Sequence, residues 1–157
     1  MGANPVTVQV ADQTALSVTQ PFSVTVAAAP AGPTITGFTL RSSNTLTAQN
    51  RLANPVATPL TDGLTISLAA CGANCRFNME ALIVGTAGTA FNNVRLTLDG
   101  VGNNESAAPY TKPGDAGVGN YNPMVLNLGA HTLTATPRTN TGATIGTPLT
   151  VTFTVVP

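Results

Sequence analysis

The stretch 149–155, L-T-V-T-F-T-V, decides the fold class because its apolar and polar residues alternate without a break. Leu149, Val151, Phe153 and Val155 occupy every second position, with threonines between them. A period of two places the apolar side chains on one face of an extended strand and the threonines on the other. The stretch therefore predicts a β-strand with one buried and one solvent-facing side.

The same alternation recurs along most of the chain. It is clear at 64–68, 94–98 and 132–136, and again near the N-terminus at 5–11 and 16–27. No segment keeps helical spacing over three turns, and most of the 15 glycines and 12 prolines fall between the alternating stretches, where turns belong. Eight or more short strands with one wet face each predict an all-β, antiparallel sandwich.

Charged residues are scarce in this chain. Only 8% of the 157 residues are charged, and six basic side chains balance six acidic ones, whereas about 25% is typical. So few cations cannot neutralise a phosphate backbone, which excludes nucleic acid as a partner. No apolar run approaches the roughly 20 residues of a membrane span, so membrane insertion is not expected.

A small, uncharged segment at 27–33, A-A-A-P-A-G-P, has the composition of a linker. It divides the chain into a β-hairpin within 1–29, a linker at 30–33 and a sandwich over 34–157. Two strands alone are too few to form a stable unit. We therefore expect the hairpin to pack on its own sandwich or on another chain, and we favour self-association because unpaired strand edges template pairing.

The two cysteines, Cys71 and Cys75, lie in C-G-A-N-C, and the chain has one histidine. A structural zinc site needs four cysteine or histidine ligands, which disfavours zinc. A disulfide across a tight turn is the interpretation we favour, with two free thiols as the alternative. The disulfide indicates an oxidising compartment. Because no signal peptide follows Met1, we expect a secreted or cell-surface protein whose targeting sequence lies outside this chain.

The segment 100–123 is the longest stretch without clear alternation, and it predicts a functional loop. Oxygen-bearing side chains gather in and beside it: Asp99, Asn103, Glu105 and Asp115. Calcium prefers several hard oxygen ligands, including carboxylates and amides, so these four residues are candidate calcium ligands. Turn chemistry is the alternative, because Asp99-Gly100 is an ordinary hairpin pair.

Tyr121, flanked by Asn120 and Asn122, is the candidate ligand-binding aromatic of the same segment, with a sugar as the expected ligand. The absence of tryptophan and an aromatic content of 4% disfavour a flat polysaccharide platform. His131 is the only imidazole, and no nucleophile motif accompanies it. The sequence therefore predicts no catalytic residues and no enzymatic activity.

Residues 93–136 contain N-V-R-L-T-L-D-G, then A-A-P-Y, then L-G-A-H-T-L-T-A-T. This series resembles the bacterial Ig-like repeats of large extracellular proteins. The preceding T-D-G-L-T-I-S-L-A and the closing P-L-T-V-T-F-T-V fit the same pattern, so the resemblance covers about 34–156. Residues 6–26 resemble the last two strands of the putative-Ig, cadherin-like repeats. The resemblance implies an Ig-like sandwich preceded by the remnant of a second repeat.

We therefore expect a non-enzymatic, extracellular structural or adhesive module of a larger bacterial surface or secreted protein. The alternative is an ancillary carbohydrate-binding module of a secreted enzyme, and a small hydrolase comes third. The expected partners are neighbouring surface domains, further copies bound through the hairpin, and glycans. Calcium is the one cofactor that the sequence suggests.

Overall fold

The computed structural model describes residues 5–11, 17–23, 32–87 and 89–157. These residues form eleven strands and one short helix. The strands are β1 Pro5–Ala11, β2 Ser17–Ser23, β3 Thr34–Ser43, β4 Val56–Leu60, β5 Leu64–Ser67, β6 Arg76–Val84, β7 Asn93–Leu98, β8 Val101–Glu105, β9 Tyr110–Lys112, β10 Gly129–Arg138 and β11 Leu149–Val156, and the helix is α1 Leu68–Cys71.

Residues from 34 onward build two sheets. One has the strand order β5-β11-β10-β7-β8 and the other has the order β4-β3-β6-β9. Neighbouring strands are antiparallel except β5, which runs parallel to β11. The predicted all-β class is confirmed for the described residues.

The core lies between the inner faces of the two sheets and follows the predicted alternation. Val151, Phe153 and Val155 are buried on β11, while Thr152 and Thr154 between them are exposed. Burying each large apolar side chain stabilises the fold by about 1.5–3 kcal/mol. The buried core residues are Ile35, Phe38, Leu40, Leu60, Ile66, Cys75, Phe77, Met79, Ala81, Val94, Leu96, Leu126, Leu133, Ala135, Val151, Phe153 and Val155.

Strands β1 and β2 pair with each other as an antiparallel hairpin, with Pro5 opposite Ser23 and Ala11 opposite Ser17. The predicted second strand, 16–27, runs past Ser23 into residues that lie outside the described ones, as does part of the predicted linker at 30–33. The self-association of the hairpin stays a prediction.

The segment 100–123 is not one long loop, because β8 and β9 both lie within it. Asp99 and Gly100 form the two-residue turn of the β7–β8 hairpin, with φ of 49° and 83°. Positive φ at both positions is the requirement of a type I′ turn, which Asp-Gly meets at low cost. The irregular part begins after β9, and its contacts with Asn78 on β6 and Arg41 on β3 place it against the outer face of the four-stranded sheet.

The cysteines stand on either side of the turn that leads from α1 into β6. Cys71 and Cys75 are joined at bonding distance, and their Cα atoms lie 5.6 Å apart. That separation falls within the usual range for a disulfide.

We expect the purified protein to show no alkylatable thiol until reductant is added, as measured by intact mass. Replacing both cysteines by alanine should lower the free energy of unfolding by about 2 kcal/mol, because so short a loop removes little chain entropy. Two thiols in the untreated protein would contradict the bond, and loss of the fold in the double variant would contradict its minor role.

Candidate functional site

Three of the four predicted calcium ligands lie together where the edges of the two sheets meet. Asn103 on β8 donates from Nδ2 to Glu105 Oε1, at 2.8 Å, and to the carbonyl oxygen of Thr111 on β9, at 3.1 Å. The Thr111 hydroxyl donates in turn to Asp115 Oδ2, at 2.8 Å. These bonds connect β8, β9 and the loop after β9.

Two further asparagines lie against the same loop. Asn78 on β6 is fully buried, and its Nδ2 donates to the carbonyl oxygens of Gly114 and Asn122, each at 3.0 Å. A Cβ atom at Gly114 would stand 3.2 Å from Glu105 Oε1 and 3.3 Å from Asn122 Nδ2. Gly114 therefore lies between these two side chains. We call the whole set the asparagine–carboxylate cluster: Asn78, Asn103, Glu105, Asp115 and Asn122.

The surroundings of Glu105 disfavour the charged form of its carboxyl. Burial raises the pKa of the Glu105 carboxyl, and the nearby charge of Asp115 raises it further. The hydrogen bond from Asn103 and the charge of Lys112 lower that pKa without cancelling the rise. Burial also lowers the pKa of Lys112, and the positive charge of Arg95 lowers it further. Sequence reasoning missed this burial, which arises only when the loop covers the sheet.

Three amide oxygens of the cluster have no hydrogen-bond partner among the residues that the structure describes. They are the Oδ1 atoms of Asn78, Asn103 and Asn122, and all three are buried. Buried polar atoms in native proteins are nearly always paired, so three in one cluster require an explanation. Within 32–87 and 89–157, no three histidine, cysteine, aspartate or glutamate side chains are placed to hold a metal ion. A cation in this cluster would therefore depend on amide oxygens as well as on the two carboxylates.

Asp99, the fourth predicted ligand, does not join the cluster. Its Oδ2 lies 2.6 Å from His131 Nδ1, and its Oδ1 accepts the Thr132 backbone N–H at 2.8 Å. These bonds tie the β7–β8 turn to β10. Asp99 therefore fits the alternative interpretation, in which it is a residue of an ordinary hairpin turn.

His131 has an oxygen acceptor at each ring nitrogen, because its Nε2 lies 2.8 Å from the carbonyl oxygen of Asn127. A neutral imidazole donates from one nitrogen only, so both bonds form fully in the imidazolium. Burial lowers the pKa of His131, but the bonds to Asn127 and Asp99 and the charge of Asp99 outweigh it and leave the pKa raised. The ring also stacks on Phe153, with centroids 5.2 Å apart.

We expect the pair formed by His131 and Asp99 to make stability depend on pH. The raised pKa of His131 means that its contribution is complete below its ordinary value of 6.5 and is lost as pH rises through the folded value. The lowered pKa of Asp99 means that its contribution is complete above 3.8 and is lost as pH falls through the folded value. Urea unfolding should therefore give the pair's largest contribution between these two values.

The matched variant is Asp99→Asn, which keeps an oxygen acceptor but removes the charge. In this variant, NMR titration should show a lower pKa for His131 than in the wild type. The loss of stability above pH 6.5 should also be smaller. A wild-type His131 that titrates at or below its ordinary value would contradict the arrangement.

Tyr121, the candidate ligand-binding aromatic, is buried, with 4% of its surface exposed, so its ring does not offer an open face for stacking on a sugar. The guanidinium carbon of Arg41 lies 4.2 Å from the centroid of its ring, and Arg41 pairs with Glu80 on β6. The Tyr121 carbonyl oxygen accepts the Leu52 N–H at 3.0 Å. The ring is therefore an anchor for the loop. Of its neighbours, Asn120 is exposed and Asn122 belongs to the cluster.

We expect Tyr121→Ala to lower the free energy of unfolding by about 3 kcal/mol, as is usual for truncation of a buried aromatic ring. Tyr121→Phe keeps the ring over which Arg41 lies, and it should cost less than about 1 kcal/mol. Urea unfolding measures both values. Similar stabilities for the wild type and Tyr121→Ala would contradict the anchoring role.

A groove that sequence reasoning missed lies between the edge strands β4 and β5. It has a volume of about 600 Å³, and its lining includes the apolar Leu40, Ile66 and Phe77 and the polar Ser43 and Thr65. None of the described residues that line it carries a charge. The two strands belong to different sheets, so no sequence pattern indicates the gap between them.

Comparison with protein-family models, with curated proteins and with solved structures finds no match to this chain. Among the residues that the structure describes, no helix is long and apolar enough to cross a membrane.

Proposed function

We propose that this chain is a non-enzymatic structural or adhesive module, with an Ig-like fold, of a secreted or cell-surface protein. The observation that carries the proposal is the path of the chain through the sandwich. Thr34, at the start of β3, bridges to Thr147, just before β11. Strand β11 then runs to Val156 at the opposite end, a distance of about 25 Å. A domain that the chain enters at one end and leaves at the other suits a linear series of modules.

The strand order supports the Ig-like part of the proposal. Ig sandwiches place strands A, B and E in one sheet and strands C, F and G in the other. The order β3-β6-β9 corresponds to the first set, and the order β7-β10-β11 corresponds to the second. The disulfide between Cys71 and Cys75 agrees with an oxidising, extracellular compartment.

The pairing of β11 favours resistance to force. Strand β11 is bonded to β10 on one side and to the parallel β5 on the other. A pull along β11 loads these inter-strand hydrogen bonds together, because they lie perpendicular or slanted to the strand. This geometry suits a module that transmits tension.

The site geometry gives no support to catalysis. Both ring nitrogens of His131 face acceptors inside the fold, so the imidazole has no nitrogen left for a substrate proton. Tyr121, the aromatic named for the carbohydrate-binding alternative, is buried, and this supports the structural function over that alternative. We therefore carry only the structural and adhesive function forward.

Single-molecule pulling tests the mechanical role. We expect a tandem array of the chain, pulled from its two ends, to unfold one sandwich at a time. Each event should add about 400 Å of length, because residues 34–157 extend from a folded span of about 25 Å. The control keeps the N-terminal handle and moves the C-terminal one to a tag inserted in the 139–143 turn. That turn lies at the Thr34 end of the sandwich, so both handles act at the same end.

The control should unfold at lower force, because its strands separate one bond at a time. Equal forces in the two geometries would contradict the mechanical role. Turnover of generic ester or glycoside substrates that disappears in Glu105→Gln or His131→Ala would overturn the non-enzymatic function.

A further inference from the structure

We propose that Lys112 and Asn103 join covalently, through an amide bond between the lysine Nζ and the asparagine Cγ, with release of ammonia. Glu105 carries the proton between the two nitrogens. The bond ties β8 of the five-stranded sheet to β9 of the four-stranded sheet, and it forms once within each chain. This inference goes beyond the proposed function and does not rest on it.

The strand registers bring these three side chains to one space. Lys112 on β9 lies opposite the core residue Met79 on β6, and residues directly opposite each other in an antiparallel pair share a face. Asn103 and Glu105 on β8 lie opposite two core residues of β7. All three therefore occupy inward-facing positions at the edge of the sandwich where β8 and β9 meet.

The Asn103 amide is within reach of the Lys112 amine. Asn103 Nδ2 donates to the carbonyl oxygen of Thr111 at 3.1 Å, and the carbon of that carbonyl is bonded to the backbone nitrogen of Lys112. An extended lysine side chain spans about 6 Å from Cα to Nζ. Rotation about its own side-chain bonds can therefore bring Nζ to Asn103 Cγ while both strands stay in place.

The same amide is held beside an acid–base group. The bond to the Thr111 carbonyl oxygen fixes which end of the Asn103 amide is the nitrogen, because a carbonyl oxygen requires a donor. Nδ2 also donates to Glu105 Oε1, at 2.8 Å. The carboxyl of Glu105 is thus at the distance that proton transfer to the departing nitrogen requires.

Burial favours the reactive forms of both ionisable groups. It lowers the pKa of Lys112 and raises the pKa of the Glu105 carboxyl. The attraction between the two charges opposes both shifts without cancelling them. A neutral amine is the form of lysine that acts as a nucleophile, and a protonated carboxyl is the form that acts as an acid. Lys112 is partly buried and is the one lysine of the chain.

The reaction balances within the chain. The Lys112 ammonium gives a proton to the Glu105 carboxylate, and the neutral Nζ adds to Asn103 Cγ while an electron pair of the carbonyl moves onto Oδ1. Glu105 then gives its proton to Nδ2 and takes one from Nζ. The electron pair returns from Oδ1, the Cγ–Nδ2 bond breaks, and ammonia leaves. Ammonia takes up the proton that remains on Glu105, so the reaction consumes no oxidant and no cofactor.

The test measures the mass of the full chain under denaturing conditions. We expect an intact mass about 17 Da below that of the disulfide-bonded sequence, which is the mass of one ammonia. An amine-reactive ester should leave position 112 unlabelled in the denatured chain, because the only lysine then lies in an amide. A chain of full mass, or a chain that has lost ammonia and still takes the label at Lys112, would overturn the proposal.

Peptide fragmentation locates the bond. Trypsin cuts after Arg95 and Arg138, and Pro113 protects the bond after Lys112, so both partners remain in the peptide 96–138. Fragment ions from single breaks between positions 103 and 112 should be missing, because the side-chain amide holds the two pieces together. A complete series of these ions would exclude the bond.

The variants Lys112→Arg and Glu105→Gln should each retain the full mass, and Asn104→Ser is the matched control. Asn104 is the exposed neighbour of Asn103 on β8, lies opposite Arg95, and should lose ammonia as the wild type does when it is replaced. Loss of about 17 Da in Lys112→Arg, or its absence from Asn104→Ser alone, would contradict the assignment. The wild-type mass decides the question by itself if a variant fails to fold.

Discussion

The buried amide of Asn78 is the constraint on which the covered side of this domain depends. It occupies an outward-facing position of β6, between the core residues Phe77 and Met79, where an exposed strand would carry a polar side chain into water. The loop after β9 removes that water, and two carbonyl oxygens of the loop take its place as acceptors. An unpaired buried amide is costly, so the loop and the strand must hold each other in place. Burial of Thr111 follows from the same closure.

Much of the fold could be predicted from the sequence, because apolar residues recur at every second position in strands that have one buried face. The stretch 149–155 and the strands around Leu96 and Leu133 lie in the core as their alternation indicates. Alternation did not reveal β3, whose register shifts between Ile35 and Gly37 and interrupts the period. Alternation does not indicate strand β4 either, because four of its five residues are exposed.

The candidate site was harder to predict, because its members come from three separate parts of the chain. Proximity in sequence grouped Asp99 with Asn103 and Glu105, yet the β7–β8 hairpin carries Asp99 to the opposite end of β8. The same proximity argument left out Asn78, which precedes the others by more than twenty residues. The burial of Tyr121 was hard to predict for a related reason, since composition does not show that a loop will fold back over Arg41. Tertiary closure, rather than local pattern, assembles this cluster.

Charged side chains are few in this domain, and most of its described carboxylates bond to a particular turn or strand. Asp62 accepts the backbone N–H of Thr152 on β11, and Asp99 accepts that of Thr132 on β10. Glu80 pairs with Arg41 under the loop. Asp115 accepts the Gly117 N–H inside its own turn. Each of these charges holds a particular turn or strand in place, while hydroxyls such as those of Thr134 and Thr150 face outward. Glu105 departs from this pattern, because its neighbour of opposite charge is not in contact and its neighbour of like charge is close. Its hydrogen bond from Asn103, on the same strand, therefore holds the side chain in place without bringing a positive charge into contact with it.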